Sequence, residues 1–150
     1  MIEIVEDDAD GWAAAGPDLS GVVERAATAA LGRVEGEVVV LLTDDAGVQD
    51  LNARFRGKDR PTNVLSFPAA EGAGDLLGDI ALASGVCRAE AAAQGKSLSD
   101  HLSHLVVHGV LHLLGRDHED DVEAEAMEAE ERTILASLGV ADPYRSDVQA

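Results

Sequence analysis

The chain has 150 residues, of which 46% are hydrophobic and 27% are charged, and its formal net charge at pH 7 is −18. This length and balance predict one domain spanning residues 1–150, with a core large enough to fold alone. The charge argues against broad, nonspecific binding of nucleic acid, because an acidic surface repels phosphates. Cys87 is the only cysteine, which excludes an intrachain disulfide and fits a reducing compartment.

The N-terminal segment MIEIVEDDAD is acidic, whereas a signal peptide begins with basic residues. No apolar run approaches the ~20 residues that a membrane-spanning helix needs. We therefore expect a soluble, cytoplasmic protein that does not bind membranes.

Apolar runs predict a small sheet. Four segments are predicted strands: IEIV near the N-terminus, EVVVLLT (37–43), NVLSFP (63–68) and DLLGDIALAS (75–84). Gly78 permits a bend or bulge in the last of them. The stretch from 57 to 85 has no helical pattern, which indicates that some strands pair antiparallel.

Helical spacing and capping residues predict five helices: from Asp18 to Leu31; from Asp44 or Asp45 to Gly57; from 84 to 95; from Ser97 or Ser99 to about Leu114; and from Asp120 or Asp121 to Gly139. The second helix is predicted to bury Val48, Leu51 and Phe55. Nine of the fifteen residues at 117–131 are acidic, and we interpret this run as a solvated face. The elements predict an α/β fold of the α+β kind, with about four strands in a mixed sheet and about five helices.

The segment HGVLHLLGRDH, residues 108–118, holds three of the five histidines. Residues four apart share one face of a helix, so His108 and His112 form a clamp for a zinc-like ion. His118 would lie too far along a straight helix. Gly115, however, can adopt positive φ, end the helix and turn the chain back, so that His118 closes the site. Three imidazoles leave a position open for water, whose pKa the metal lowers, as in catalytic sites.

Two further histidines, His101 and His104, continue the same stripe along this helix. They could line the approach to the metal, where protonated imidazole meets an anion, or form a polar groove edge. Asp117 could accept a hydrogen bond from a ligand imidazole and fix its tautomer.

The order of the histidines resembles the zinc-protease pattern H-E-x-x-H-x-x-G-x-x-H, but Gly109 replaces the catalytic glutamate. A peptidase mechanism therefore lacks its base. Phosphodiester cleavage needs a hydroxide, a Lewis acid and positive charge near the phosphate. The dense source of positive charge is the segment RFRGKDR, with Arg54, Arg56, Lys58 and Arg60, although these residues could also be ordinary charge at a helix C-terminus.

Five segments closely resemble the YbeY family of bacterial endoribonucleases, the rRNA maturation factors: LNARFRGKDRPTNVLSFP, LLGDIALA, HLVVHGVLHLLGRDH, the acidic segment with Met127, and LGVADPY. The likeness covers nearly the whole chain. It implies a compact α/β domain with the metal helix beside a small mixed sheet. It also implies a single-strand-specific, metal-dependent endoribonuclease acting in 16S rRNA 3′-end maturation and ribosome quality control.

The resemblance further implies one zinc ion on His108, His112 and His118, and Arg56 as a functional residue near the metal that binds the phosphate. The partners that it implies are single-stranded RNA of the 16S precursor, the small-subunit protein S11 and the GTPase Era. Two residues depart from the family pattern: Phe55 stands where Tyr is common, and Arg116 stands where the family often has Tyr.

Some alternatives stay open. The protein could be a noncatalytic ribosome-assembly factor with a structural zinc, or a metallohydrolase of another bond. Asp117, Glu119 and a second metal-bound water are candidates for the general base. Nickel, cobalt or iron would also accept three imidazoles. Arg116 could hold phosphate or pair with nearby acids.

Overall fold

Strands and helices alternate in the first half of the chain in the computed structural model, which describes residues 1–7, 11–12, 18–117 and 119–144. The strands are β1 (Ile2–Glu6), β2 (Glu37–Thr43), β3 (Val64–Pro68) and β4 (Leu76–Ala83). The helices are α1 (Leu19–Leu31), α2 (Asp45–Arg56), α3 (Ser84–Ala93), α4 (Leu98–Leu113) and α5 (Asp121–Ser137). The predicted α+β fold, with four strands and five helices, is confirmed for the described residues.

The four strands form one mixed sheet in the order β1-β2-β4-β3. β1 pairs with β2 and β2 with β4 in parallel, whereas β3 pairs with β4 antiparallel, as predicted. Gly78 has φ of 155°, and the β2–β4 register shifts beside it, between Glu37 and Val38, which confirms the predicted irregularity. β3 therefore forms one edge of the sheet.

Three helices begin at side-chain caps, and in each case the cap is the first of the two predicted residues. The side chains of Asp44, Ser97 and Asp120 accept hydrogen bonds from backbone amides three residues later, at 2.7, 3.1 and 2.7 Å. α2 ends at Gly57, whose φ of 69° lies in the left-handed region. These local signals explain why the helix boundaries could be predicted closely.

The main core lies between one face of the sheet and the helices α1 and α4. Fully buried residues of the central strands contribute to it: Val38, Val40, Leu42, Ile80 and Leu82. α2 covers part of the opposite face, where Val48 is fully buried. No helix of the described residues is long and apolar enough to cross a membrane.

The predicted burial of Phe55 is wrong, because its side chain is 61% exposed. Phe55 lies in the last turn of α2, beside Phe67 of the edge strand β3. Helical periodicity predicts that the ring faces the sheet, but here the sheet ends and leaves most of the ring uncovered.

Candidate metal and phosphate site

Helix α4 brings His108 and His112 together on one face. The two Nε2 atoms are 3.0 Å apart, and the ring centroids are 4.6 Å apart. The predicted clamp is therefore present as geometry. It lies one turn from the end of the helix, next to the edge strand β3, which α4 contacts.

The helix ends where the sequence predicts. Gly115 has φ of 93°, its amide donates to the His112 carbonyl at 3.0 Å, and the Arg116 amide donates to the Leu111 carbonyl at 2.9 Å. This left-handed turn redirects the chain. His118, the third predicted ligand, lies outside the described residues, within which no group of three metal-type ligands is found.

The second ring nitrogen of each histidine faces an acceptor. His112 Nδ1 is 3.1 Å from the Arg116 carbonyl oxygen, and His108 Nδ1 is 3.2 Å from Glu131 Oε2. Because both partners only accept, the neutral form of each imidazole carries its proton on Nδ1 and keeps its lone pair on Nε2. Two Nε2 lone pairs that converge suit a shared cation, since tetrahedral zinc holds its nitrogen ligands about 3.3 Å apart. The two residues fit a metal ion.

Glu131 on α5 is the buried centre of a polar network, with 1% of its surface exposed. Besides the bond from His108, it accepts hydrogen bonds from His104 Nε2 at 2.9 Å and from the Tyr144 hydroxyl at 2.7 Å. Burial alone would raise the pKa of this carboxyl group, but the three donors outweigh burial and lower the pKa to about 2. The carboxylate therefore stays ionised and holds the His108 ring in place.

The sequence interpretation missed Glu131, because it treated the acidic run at 117–131 as a solvated face. A signal was present, however. Met127, Glu131 and Leu135 are spaced by four and all three are buried, so the glutamate occupies a core position of the helix. For the two described ligands the imidazole acceptors are Glu131 and the Arg116 carbonyl, while Asp117 lines the cleft.

The upstream histidines do not line the approach to the site. His101 is 3% exposed, and its Nε2 lies 2.8 Å from Glu90 Oε1. The same Glu90 oxygen accepts a hydrogen bond from the side-chain amide of Asn63 at 3.0 Å. His104 instead contacts Glu131 and supports the site from behind. Packing and polar pairing therefore account for both residues.

Arg56 and the two histidines line one cleft of about 590 Å³. The Arg56 guanidinium donates to the Ser66 carbonyl of β3 through Nη2 and lies over the Phe67 ring, 5.1 Å from its centroid. These two contacts orient the charge at the edge of the sheet. The structure thus brings the predicted arginine to the predicted metal clamp. Arg116 also lines the cleft, but Glu130 pairs with it at 3.0 and 3.1 Å.

The structure gives a steric reason for glycine at position 109. A Cβ atom there would lie 3.0 Å from both Ile80 Cδ1 and Ser66 Oγ, because this side of α4 packs directly on the sheet. A glutamate could enter only by displacing one of these neighbours. The base of the zinc-protease pattern is thus absent from a position where any side chain would crowd Ile80 and Ser66.

The fold and the cleft define a class of protein: an α+β domain in which a helix and an edge strand bring a histidine clamp and an arginine together. Comparison with known proteins identifies the family. The family model described as endoribonuclease YbeY matches residues 14–139.

Proteins named endoribonuclease YbeY are similar over most of the chain. The one from Paramagnetospirillum magneticum is 55% identical over 146 residues, which cover 89% of each chain. The one from Maricaulis maris is 54% identical over 151 residues, covering 96% of this chain and 91% of the relative. The solution structure of a Thermotoga maritima protein has a TM-score of 0.56 and 26% identity, covering 97% and 99% of the two chains. The chain belongs to the endoribonuclease YbeY family, which confirms the resemblance.

Proposed function

We propose that this protein is a metal-dependent endoribonuclease that hydrolyses single-stranded RNA in the cytoplasm. One observation carries the proposal: the converging Nε2 atoms of His108 and His112 share a cleft with Arg56. The family to which the chain belongs supports a reaction on RNA. The residues of the cleft suit that reaction, because arginine binds phosphate oxygens and imidazole binds a metal ion.

His108, His112 and His118 would hold one zinc ion, which when bound would supply a Lewis acid and would lower the pKa of water. The chain's own residues prepare the ligands. The Glu131 carboxylate and the Arg116 carbonyl keep the protons on the two Nδ1 atoms, so both Nε2 atoms face the cleft as lone-pair donors. Fixing the tautomers in advance removes a reorganisation cost from binding.

Arg56 would bind the scissile phosphate and stabilise the negative charge that develops during hydrolysis. Its bond to the Ser66 carbonyl uses one Nη2 proton, and a guanidinium has five N–H donors. The remaining donors can form a bidentate contact with phosphate oxygens. Since Ser66 and Phe67 already orient the Arg56 guanidinium, this side chain needs little rearrangement during the reaction.

Asp117 is our candidate for accepting the proton of the attacking water. It is the one carboxylate among the described residues that line the cleft. Glu119, the other carboxylate among the candidates from the sequence, is not among the described residues that line the cleft. This assignment is consistent with Gly109, which supplies no side chain that could act as the base.

The substrate in the cell, on this proposal, is the precursor of the 16S rRNA 3′ end, and the reaction contributes to ribosome quality control. The partners are the small-subunit protein S11 and an Era-like GTPase. The family resemblance supports these finer assignments. Binding to these partners would bring the protein to the ribosome, whose approach is opposed by the electrostatic field of a chain with a charge of −18.

The test is cleavage of a single-stranded RNA that carries a 16S 3′ precursor end. The proteins are the wild type, His112→Ala, Arg56→Ala and Arg25→Ala, each with its zinc content measured. Arg25 pairs with Asp18 on the surface of α1, so Arg25→Ala controls for the loss of one positive charge. We expect the wild type and Arg25→Ala to cut, His112→Ala to lose zinc and activity, and Arg56→Ala to keep zinc but lose at least 100-fold in rate, about the loss of one transition-state donor.

Three results would contradict the proposal. Equal cleavage by all four proteins would identify a contaminating nuclease. RNA binding without cleavage by the wild type, with zinc present, would favour the assembly-factor function. Cleavage of an unstructured protein that His112→Ala abolishes would instead favour hydrolysis of another bond.

A further inference from the structure

A second groove, of about 440 Å³, lies on the face of the sheet opposite to α4. Its walls are mostly apolar, and they include Leu41, Leu51, Phe55 and Phe67. Phe55 is the notable wall residue because its ring is 61% exposed. A single exposed apolar side chain needs no explanation, but Phe55 continues the apolar wall of a groove, and a contiguous apolar surface of this kind can mark a binding site.

The aromatic rings are contiguous with the catalytic cleft. Phe55 and Phe67 meet edge to face, with centroids 5.7 Å apart. Arg56 lies over Phe67, and Arg54 lies 5.5 Å from the centroid of Phe55. Arg56 also lines the histidine cleft. A phosphate bound by its guanidinium would therefore lie next to the aromatic pair, because the same guanidinium lies over Phe67.

From this arrangement we propose that Phe55, supported by Phe67, is a nucleobase-stacking subsite for the RNA residue next to the scissile phosphate. The inference rests on the proposed function, since it takes RNA as the substrate. Exposed aromatic rings beside arginines bind unpaired bases by stacking, and every base has a π-face to offer. A base inside a duplex is already stacked on both sides, so this subsite selects single strands.

The charges around the two cavities support this assignment. A basic cleft of about 380 Å³ adjoins the histidine cleft at Arg56, and Lys58 and Arg60 line it. This cleft suits successive phosphates of the strand. The aromatic groove has one charged wall residue, Asp79, whose carboxylate repels phosphate but can accept a hydrogen bond from a base amino group. Backbone and base are thus directed to opposite sides of Arg56.

The experiment measures equilibrium binding of a single-stranded RNA oligonucleotide with nuclease-resistant phosphorothioate linkages. One nucleotide is 2-aminopurine, whose fluorescence falls on stacking, and it is moved along the strand in a series. The zinc-loaded full chain is compared with Phe55→Ala, with Phe55→Tyr and with Val122→Ala. Val122 is 77% exposed on α5 and controls for removing an exposed apolar side chain.

We expect Phe55→Ala to bind about 5- to 150-fold more weakly, the effect of losing one stacked base. It should also abolish the fluorescence change at one position of the strand. Phe55→Tyr should restore both, and Val122→Ala should match the wild type. Kinetically, Phe55→Ala should raise KM far more than it lowers kcat, because stacking acts on substrate binding.

Unchanged affinity and an unchanged fluorescence pattern in Phe55→Ala would overturn the subsite. So would conversion of a wild-type dimer into a monomer by Phe55→Ala at constant RNA affinity, because the groove would then be a protein contact. Failure of the proposed function has a different signature: the wild type leaves unmodified RNA intact whether or not position 55 affects binding.

Discussion

Two of the histidine–carboxylate pairs that helix α4 makes differ in which partner is buried. Near its start, the imidazole of His101 is 3% exposed, while its partner Glu90 has a side chain that is 34% exposed. Near its end the order is reversed, because Glu131 is 1% exposed and the His108 side chain is 25% exposed. The first pair directs the imidazole into the protein, and the second directs it into the cleft.

The difference explains why one histidine is a candidate ligand and the other is structural. A buried carboxylate is costly unless several donors satisfy it, and Glu131 has three. That network fixes the His108 ring from behind and leaves Nε2 towards the cleft. In the His101 pair, Nε2 is already used by Glu90, and Nδ1 is buried without a hydrogen-bond partner among the described residues.

Glu131→Gln tests the second pair directly and should have the largest effect. The amide removes the charge that three donors stabilise, and breaking a buried network of this kind costs about 3–5 kcal/mol of unfolding free energy. Zinc affinity should fall about 10- to 100-fold, because the His108 tautomer is no longer fixed. Urea unfolding of the metal-free protein and competition with a chromophoric chelator measure the two quantities.

A matched control lies next to it on the helix. Glu130 pairs with Arg116 at the surface, so Glu130→Gln should cost less than about 1 kcal/mol and leave zinc affinity unchanged. If the two variants lose zinc affinity equally, general loss of negative charge explains the effect, and the comparison between the buried and exposed carboxylates fails.

Much of this fold could be predicted from the sequence because its signals are local. The strand β2 and the caps at Asp44, Ser97 and Asp120 depend on residues a few positions apart. The histidine clamp also follows from a spacing of four. These features need no knowledge of what packs against them.

The features that could not be predicted depend on distant parts of the chain. Glu131 contacts His108 from 23 positions away. Because its neighbours in the sequence are acidic, the pattern predicts a solvated residue rather than a buried one. The exposure of Phe55 depends on where the sheet ends, which periodicity within α2 does not report. The close approach of α4 to the sheet at Gly109 is likewise a tertiary contact.

Cys87 provides a titration test on the His101 side of the molecule. Burial first, and then the charge of Glu90, raise the pKa of its thiol to about 12. In the unfolded chain the pKa is about 8.5, so the stabilisation is complete below pH 8.5 and is lost as the pH rises towards 12. Between pH 7 and pH 10 the wild type should lose about 2 kcal/mol more unfolding free energy than Cys87→Ala.

Denaturant unfolding of both proteins at the two pH values gives this difference, in which all other titrating groups cancel. The folded wild type should also resist thiol reagents at pH 8, because reaction requires the thiolate. Rapid labelling of the folded protein, or parallel pH profiles of the two proteins, would show that the thiol is not held in a buried environment.

Glu90→Gln should have a smaller effect than Glu131→Gln or the pH change in the Cys87 test, and it completes the comparison. The amide can still accept from His101 and Asn63, and the group is partly solvated, so we expect a loss of about 1 kcal/mol in unfolding free energy. Zinc affinity should not change, because the hydrogen bonds that Glu90 accepts from described residues come from His101 and Asn63 and do not involve His108. Chelator competition on Glu90→Gln and Glu131→Gln side by side decides the point. Equal losses of zinc affinity would mean that the two pairs are coupled along α4, whereas a loss confined to Glu131→Gln assigns ligand positioning to the buried carboxylate.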